Sequence, residues 1–176
     1  MLKETRRDRY DSKLSVAKKY PIHVASVSFM HDGNLGYLIR AAACFGAKSM
    51  FVIGKLPPRK ILNPLSGSTY DYVDITQFSN PSKFLNHMRE QGIKLVCAEL
   101  TDDAVSLDEY KFDFDSPICI VTGHEETGVP VELIMNSDVV YIDMPGVGHC
   151  LNTAQTANIM LYEAAKQYEE RHGRNS

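Results

Sequence analysis

The sequence lacks tryptophan, any CxxC pair and any apolar run near the roughly 20 residues that a membrane-spanning helix needs. Its first 20 residues are rich in charge and contain no apolar core, which predicts that they are not a secretory signal. The cysteines are scattered, at Cys44, Cys97, Cys119 and Cys150, and their spacing favours reduced thiols over disulfides or a zinc site. We therefore expect a cytoplasmic protein with neither a membrane partner nor a metal.

What is present suits one globular domain. The chain has 176 residues, 44% of them apolar and 23% charged, with a net charge of −3. Positive charge is concentrated in a leader, residues 1–20, and again in residues 48–60, whereas residues 99–115 are acidic. The basic residues of the leader are Lys3, Arg6, Arg7, Arg9, Lys13, Lys18 and Lys19. Two solvated faces would explain this pattern, and so would a polyanionic partner along the basic side.

Apolar runs and helical periodicity alternate along the rest of the chain, residues 21–176. Strands are predicted at 22–29, 49–54, 93–100, 117–123 and 138–143, with an exposed strand at 70–78. Helices are predicted at 34–47, 81–91, 131–136 and 152–171, and residues 55–69 are predicted to be a surface loop. Continuously apolar strands that alternate with helices indicate an α/β fold, in which helices sandwich a mostly parallel sheet.

The segment 142–152 joins the last strand to the last helix through a loop with two glycines, Gly146 and Gly148. Strand, glycine loop and helix in this order are typical of a nucleotide-binding turn. A dinucleotide fingerprint, however, belongs to the first β–α turn of a domain, and its third glycine position falls here on Leu151. A Rossmann-type NAD site is therefore disfavoured, and a plain strand-to-helix turn is the simpler alternative.

Arg40 stands on a helix that is apolar nearly all round and is therefore predicted to be buried on both faces. A guanidinium there needs a carboxylate, a phosphate or a polar cleft. Glu125 or Glu126 could supply the carboxylate if the strand and helix ends converge, although both could equally be exposed acids near a helix start. Asn34 is the expected N-cap, and Gly36 could make room for a ligand or for a packed neighbour.

Three spaced motifs occur in order along the chain. They are N-x-G-x-x-x-R-x-A-x-x-F-G-A (34–47), G-x-E-x-x-G (123–128) and I-x-M-x-G-x-x-x-x-L-N (142–152). Together they resemble the motifs of SpoU/TrmH-type methyltransferases of the SPOUT superfamily. The resemblance implies a C-terminal deep trefoil knot, S-adenosylmethionine bound in the knot loops, and two subunits that join to build each active site.

The resemblance also assigns residues. It implies Arg40, Asn34, Glu125 and Asn152 as catalytic. Arg40 is expected to engage RNA phosphate and to help deprotonate the ribose 2′-hydroxyl, Glu125 to orient Arg40, Asn34 to contact the ribose or Arg40, and Asn152 to hold the site together. The implied cofactor-binding residues are Ala98, Glu99, Leu100, Gly123, His124, Glu125, Gly128, Ile142, Met144, Gly146, Cys150 and Leu151.

The sequence departs from the family pattern at Cys150, where serine is usual, at Asp143 and Gly33, where proline is common, and at His124, where asparagine is frequent. These departures put the cofactor affinity in question, while the implied catalytic residues are all present. We therefore expect an S-adenosylmethionine-dependent RNA 2′-O-ribose methyltransferase, acting as a homodimer, on tRNA in preference to rRNA. The leader and residues 55–60 are the candidate contacts for RNA phosphates. Two alternatives stay open, a non-catalytic RNA-binding or assembly factor and a methyltransferase that acts on a base nitrogen.

Overall fold

The computed structural model describes residues 4–173. Lys3 of the predicted leader and the last three residues of the predicted domain lie outside the described residues. These residues contain seven strands, β1 Tyr20–Val27, β2 Ala47–Ile53, β3 Ile75–Phe78, β4 Lys94–Ala98, β5 Val105–Ser106, β6 Ile118–Thr122 and β7 Ser137–Tyr141. The same described part of the chain has six α-helices, α1 Arg6–Asp11, α2 Asp32–Cys44, α3 Arg59–Leu65, α4 Pro81–Gln91, α5 Val131–Ile134 and α6 Thr153–His172.

The seven strands form one sheet in the order β3-β2-β1-β6-β4-β7-β5. Every pairing in it is parallel, which confirms the predicted α/β class. The central strand β6 is buried along its whole length, as a strand covered on both faces must be. Its continuous apolar run Ile118–Val121 follows from that position.

Helices cover both faces of the sheet, as predicted. On one face, α2 and α6 bury a stripe of apolar side chains that includes Leu38, Ile39 and Met160. On the other face, α4 and α5 bury a second cluster that includes Phe84 and Leu133. The two clusters fix the sheet between its helices, so the carboxyl ends of the strands are held at one edge of the molecule.

Several local predictions were wrong. Helix α2 begins at Asp32 with His31 as its N-cap. Asn34 therefore lies inside the first turn, and its side chain can make contacts outside the helix. The predicted loop 55–69 contains α3, because Pro58 can precede a helix without costing a hydrogen bond. Of the predicted strand 70–78 only β3 is a strand, preceded by a 3-10 turn. The short edge strand β5 was not predicted, since its two residues lie in the acidic stretch.

Gly36 is explained by helix packing. A Cβ on Gly36 would lie 2.4 Å from Cβ of Leu65, so the missing side chain lets α3 pack against α2. Of the two readings of this glycine, the packed neighbour is the one that the structure supports. No helix within residues 4–173 is long and apolar enough to cross a membrane.

Candidate active site

A cavity of about 550 Å³ lies at the carboxyl ends of three neighbouring strands. Its walls come from the residues that follow β4, β6 and β7, together with the first turns of α6. Loops after parallel strands meet at this edge of a sheet, which is where ligands bind in open α/β folds. The volume falls within the usual range for sites that take small molecules.

Eleven of the twelve predicted cofactor residues line this cavity. They are Ala98, Glu99, Leu100, Gly123, His124, Glu125, Gly128, Ile142, Met144, Cys150 and Leu151. Gly146 is not among the lining residues and is exposed in the loop. The sequence prediction missed Thr153 and Thr156, which also line the cavity. Their three-residue spacing on the first turns of α6 puts them on one face and was a usable signal.

The loop after β6 is closed by direct backbone contact. A Cβ on Gly123 would lie 2.1 Å from the carbonyl carbon of Gly128, so neither a side chain nor a solvent layer fits between them. His124 and Gly128 exchange two backbone hydrogen bonds, of 3.0 and 2.9 Å. The Nδ1 atom of His124 accepts hydrogen bonds from the backbone N–H groups of Glu126 and Thr127, at 3.1 and 3.3 Å. The result is a compact wall made largely of backbone.

Glu125 holds the first turn of α2 to this loop. Its carboxylate accepts hydrogen bonds from the N–H of Met30 at 2.8 Å, from the N–H of His31 at 3.2 Å and from Nδ2 of Asn34 at 2.6 Å. Desolvation raises the pKa of Glu125, but these hydrogen bonds and one from its own backbone outweigh it, so the net pKa lies below its ordinary value. The carboxylate therefore stays charged at the positive end of α2.

Asn152 extends this contact to the third motif. Its Nδ2 donates to Oδ1 of Asn34 at 3.0 Å. Its Oδ1 accepts from the backbone of Ala154 at 2.9 Å, which caps the start of α6. Glu125, Asn34 and Asn152 thus form one hydrogen-bonded chain that joins all three motifs. The holding role of Asn152 stays a prediction, and this contact is the observation behind it.

Arg40 has a different environment from the one predicted. It is exposed, and within residues 4–173 its side chain makes no hydrogen bond or ion pair. The predicted pairing with Glu125 or Glu126 is therefore wrong within one chain, because Glu125 is engaged by α2. The predicted burial of α2 on both faces is also wrong, since the side that carries Tyr37 and Arg40 is uncovered.

A second cavity, of about 570 Å³, contains Arg40. Tyr37, Asn152 and Gln155 also line it, and Asn152 lines the first cavity as well. Asn152 thus lies between the cavity at the strand ends and the cavity that contains the unpaired Arg40 guanidinium. A glycine supports this arrangement, because a Cβ on Gly67 would lie 3.3 Å from Nη1 of Arg40.

Two departures from the family pattern have distinct positions. Cys150 is exposed and lines the first cavity, so its thiol faces the space where a serine hydroxyl would lie. The carboxylate of Asp143 accepts a hydrogen bond from the Ser106 hydroxyl of β5 and is not among the lining residues. The neighbouring strand thus stabilises the added carboxylate through one hydrogen bond.

Comparison with known proteins gives consistent matches. The SpoU rRNA Methylase family matches residues 21–162. The tRNA (guanosine(18)-2'-O)-methyltransferase of Escherichia coli K12 is 25% identical over 154 residues, which are 86% of this chain and 66% of that protein. The crystal structure of an AdoMet-bound rRNA methyltransferase from Sinorhizobium meliloti is 25% identical with a TM-score of 0.76, over 85% of this chain and 57% of that one.

A third match covers the whole of a solved structure. That structure, described for the 2-OH methylation of C/U34 on tRNA, has 25% identity and a TM-score of 0.75, over 86% of this chain and 100% of its own. By contrast, this chain spans less than two thirds of the length of the Escherichia coli and Sinorhizobium meliloti proteins.

Proposed function

Because this chain belongs to the SpoU rRNA Methylase family, we propose that it transfers a methyl group from S-adenosylmethionine to a ribose 2′-hydroxyl of RNA. The observation that carries the proposal is the cavity at the strand ends. Its walls contain residues of the second and third motifs, and the hydrogen bonds among Glu125, Asn34 and Asn152 join these motifs to the first. tRNA is the substrate we favour, since the relative from Escherichia coli is named for tRNA. The alternative is rRNA, for which the Sinorhizobium meliloti protein is named.

The residues of the cavity fit the cofactor. Gly123 and Gly128 leave backbone rather than side chains at the wall, and the strand ends at Ala98 and Ile142 give it apolar surfaces. Flat apolar walls with backbone donors suit an adenine ring. When bound, S-adenosylmethionine supplies a methyl group on a sulfonium, which is an activated leaving group. The protein then needs only to position the two reactants and exclude water.

Arg40 is the residue we assign to the RNA. Its guanidinium is unpaired within residues 4–173 and faces a cavity that shares Asn152 with the cofactor cavity. A guanidinium stays protonated at neutral pH, so it is a poor base on its own. It can bind an RNA phosphate in bidentate fashion and stabilise negative charge on the attacking 2′-oxygen. In this proposal the phosphate assists removal of the hydroxyl proton while Arg40 holds both groups.

The proposal includes a homodimer. The uncovered side of α2 and α6 exposes large apolar side chains, among them Tyr37 at 61%, Tyr162 at 57% and Ile159 at 40%. Several large apolar side chains exposed on the same two helices are consistent with an interface. A second copy on this face would bring partner residues to Arg40, which explains why its helix is apolar on both sides. The C-terminal deep trefoil knot is likewise part of the proposal and is supported by membership of the family.

We also place the protein in the cytoplasm. Its four cysteines are free thiols, and two of them, Cys97 and Cys119, are buried. Burial raises the pKa of Cys97 to about 12, so its thiol is unreactive at neutral pH. Free thiols in this setting agree with a reducing compartment.

One alternative function has an observation in its favour. Cys150 places a weak hydrogen-bond donor in the cavity wall, and loss of cofactor binding there would leave a non-catalytic RNA-binding or assembly factor. Calorimetric titration with S-adenosylmethionine separates the two functions, because an assembly factor with a drifted pocket gives no heat of binding.

The test of the proposal is transfer of labelled methyl from S-adenosylmethionine to total tRNA and to rRNA. We expect label on one RNA class with the wild type, and loss of at least a hundredfold with Arg40→Ala. The matched control is Arg89→Ala, which removes an exposed arginine from α4 on the opposite face of the sheet. No label on either RNA, together with no cofactor binding, would refute the proposal.

A further inference from the structure

The leader is a structured arm rather than a loose tail. Helix α1 is closed by a capping box, in which Thr5 and Asp8 satisfy each other's backbone. The hydroxyl of Tyr10 donates to the carbonyl of Gly67 at 3.0 Å. The hydroxyl of Tyr72 donates to the Asp11 carboxylate at 2.7 Å, and the rings of Tyr10 and Tyr72 meet edge to face.

A second set of contacts fixes the end of the arm. Lys18 forms an ion pair with Glu169 of α6 at 2.9 Å. The ammonium group of Lys19 donates to the carbonyls of Ala47 and Tyr72, at 3.1 and 3.2 Å. The arm is thus attached to the domain at both ends, over a stretch that precedes the family match at residue 21.

The arm lies beside the proposed RNA-binding arginine. Gly67, which accepts the Tyr10 hydrogen bond, is also the glycine that lies against Arg40. Under the arm is a cavity of about 600 Å³, with Tyr10, Tyr20 and Lys13 in its walls. It shares Cys44 and Phe45 with the cavity that contains Arg40. The two cavities are therefore neighbours, with Cys44 and Phe45 between them.

The charges of the arm are arranged unequally. Two of its three acids are used internally, since Asp8 closes the capping box and Asp11 accepts from Tyr72, whereas Glu4 is exposed. By contrast, Arg6, Arg9 and Lys13 make no side-chain hydrogen bond or ion pair with any residue of 4–173. Three cations of the arm are thus unpaired while two of its acids are engaged, so the arm presents net positive charge to solvent.

We propose that the arm is a fixed RNA-docking surface, which binds the strand that flanks the target ribose. Arg6, Arg9 and Lys13 bind its phosphates, and the aromatic cavity beneath takes one unpaired base. Aromatic walls beside lysine and arginine are the combination that binds single-stranded nucleic acid, because bases stack and phosphates pair with cations. The inference rests on the proposed function and adds to it the route by which RNA reaches Arg40.

Two kinds of variant test the inference. Arg6→Gln/Arg9→Gln/Lys13→Gln removes the cations, and Lys83→Gln/Arg89→Gln/Lys111→Gln removes three exposed cations elsewhere as a control of equal charge. Tyr10→Ala keeps every cation but releases the arm from Gly67. Tyr10→Phe removes only the hydroxyl that donates to Gly67 and keeps the ring contact with Tyr72, so it separates loss of this hydrogen bond from a folding defect.

Affinity for the RNA class that the wild type methylates is measured against salt concentration. Each phosphate contact contributes about 0.7 to 0.9 to the slope of log affinity against log salt, so the arm variant should lower the slope by about 2 to 3. At 0.1 M salt its affinity should fall about a hundredfold. Tyr10→Ala should lose at least tenfold in RNA affinity despite its unchanged charge, and Tyr10→Phe should lose less. The control variant should keep the affinity of the wild type.

The outcomes separate the inference from the function beneath it. If the wild type methylates RNA and the arm variant binds like the control, the docking surface is refuted and the proposed function stands. If the arm variant is weak but folded Tyr10→Ala binds like the wild type, the arm acts as a flexible basic tail and its fixed geometry is refuted. If the wild type neither binds nor methylates RNA, both proposals fail together.

Discussion

Replacing Glu125 by glutamine should cost about 2 kcal/mol of unfolding free energy. The carboxylate accepts three hydrogen bonds, from Met30, His31 and Asn34. A hydrogen bond to a charged group is worth about 1 kcal/mol more than a neutral one. Three such bonds give about 3 kcal/mol, which we reduce to about 2 because the site is partly open to solvent. In addition, the NH2 group of glutamine would face an N–H donor, with which it cannot form a hydrogen bond.

The assay is urea unfolding, in which the midpoint should fall while the slope stays unchanged. Glu126→Gln is the matched control, because Glu126 is exposed and no hydrogen bond involves its carboxylate within residues 4–173; it should change stability by less than about 0.5 kcal/mol. The pKa of Glu125 is lowered in the folded protein, so its contribution is present above its ordinary value of 4.5 and is lost as pH falls through the lower folded value. Equal midpoints for Glu125→Gln and Glu126→Gln at pH 7 would show that the hydrogen-bonded chain is not what holds the motifs together.

Three further predictions concern other parts of the fold. Burial lowers the pKa of His23 to about 4, so unfolding takes up a proton below pH 6.5. The unfolding free energy should therefore rise by up to about 3 kcal/mol from pH 4 to pH 6.5. A flat pH profile would contradict this. Gly123→Ala should abolish cofactor binding, because its Cβ meets backbone at 2.1 Å, whereas Gly146→Ala should bind normally, since nothing lies within 4 Å of its added Cβ; calorimetry compares the two. Gly67→Ala should reduce methyl transfer while leaving cofactor affinity unchanged, because the added carbon approaches Arg40 and the backbone has a φ of +64°; weakened cofactor binding would be the wrong result.

The sequence predicted the layers and the site better than it predicted contacts. Alternating apolar runs indicated the parallel sheet, and the resemblance of the three motifs to the family indicated most of the residues that line the cavity. These residues are far apart in sequence but meet because loops after parallel strands converge at one edge. Arg40 was misjudged because a helix that is apolar on both sides was taken to be covered by its own chain. The side of α2 that carries Tyr37 and Arg40 is uncovered within residues 4–173, and periodicity does not distinguish a face that the same chain covers from one that it leaves open.

Other errors came from local rules that tertiary contacts override. Asn34 has the properties of an N-cap, but the helix starts at Asp32, directly after two residues, Met30 and His31, whose N–H groups donate to Glu125 of a distant loop. A contact between residues so far apart in sequence leaves no local signal. Helix α3 was not predicted because prolines normally mark loops, and this helix has one at its N-cap and one inside it.

The central claim is methyl transfer to a ribose hydroxyl, and the direct measurement is digestion of the labelled RNA to nucleosides. The account predicts that label from the wild type elutes as a 2′-O-methylnucleoside and that Arg40→Ala, which still binds the cofactor, gives none. Label on a methylated base would contradict the account, because Arg40 and the cavity beside it would then serve a different nucleophile.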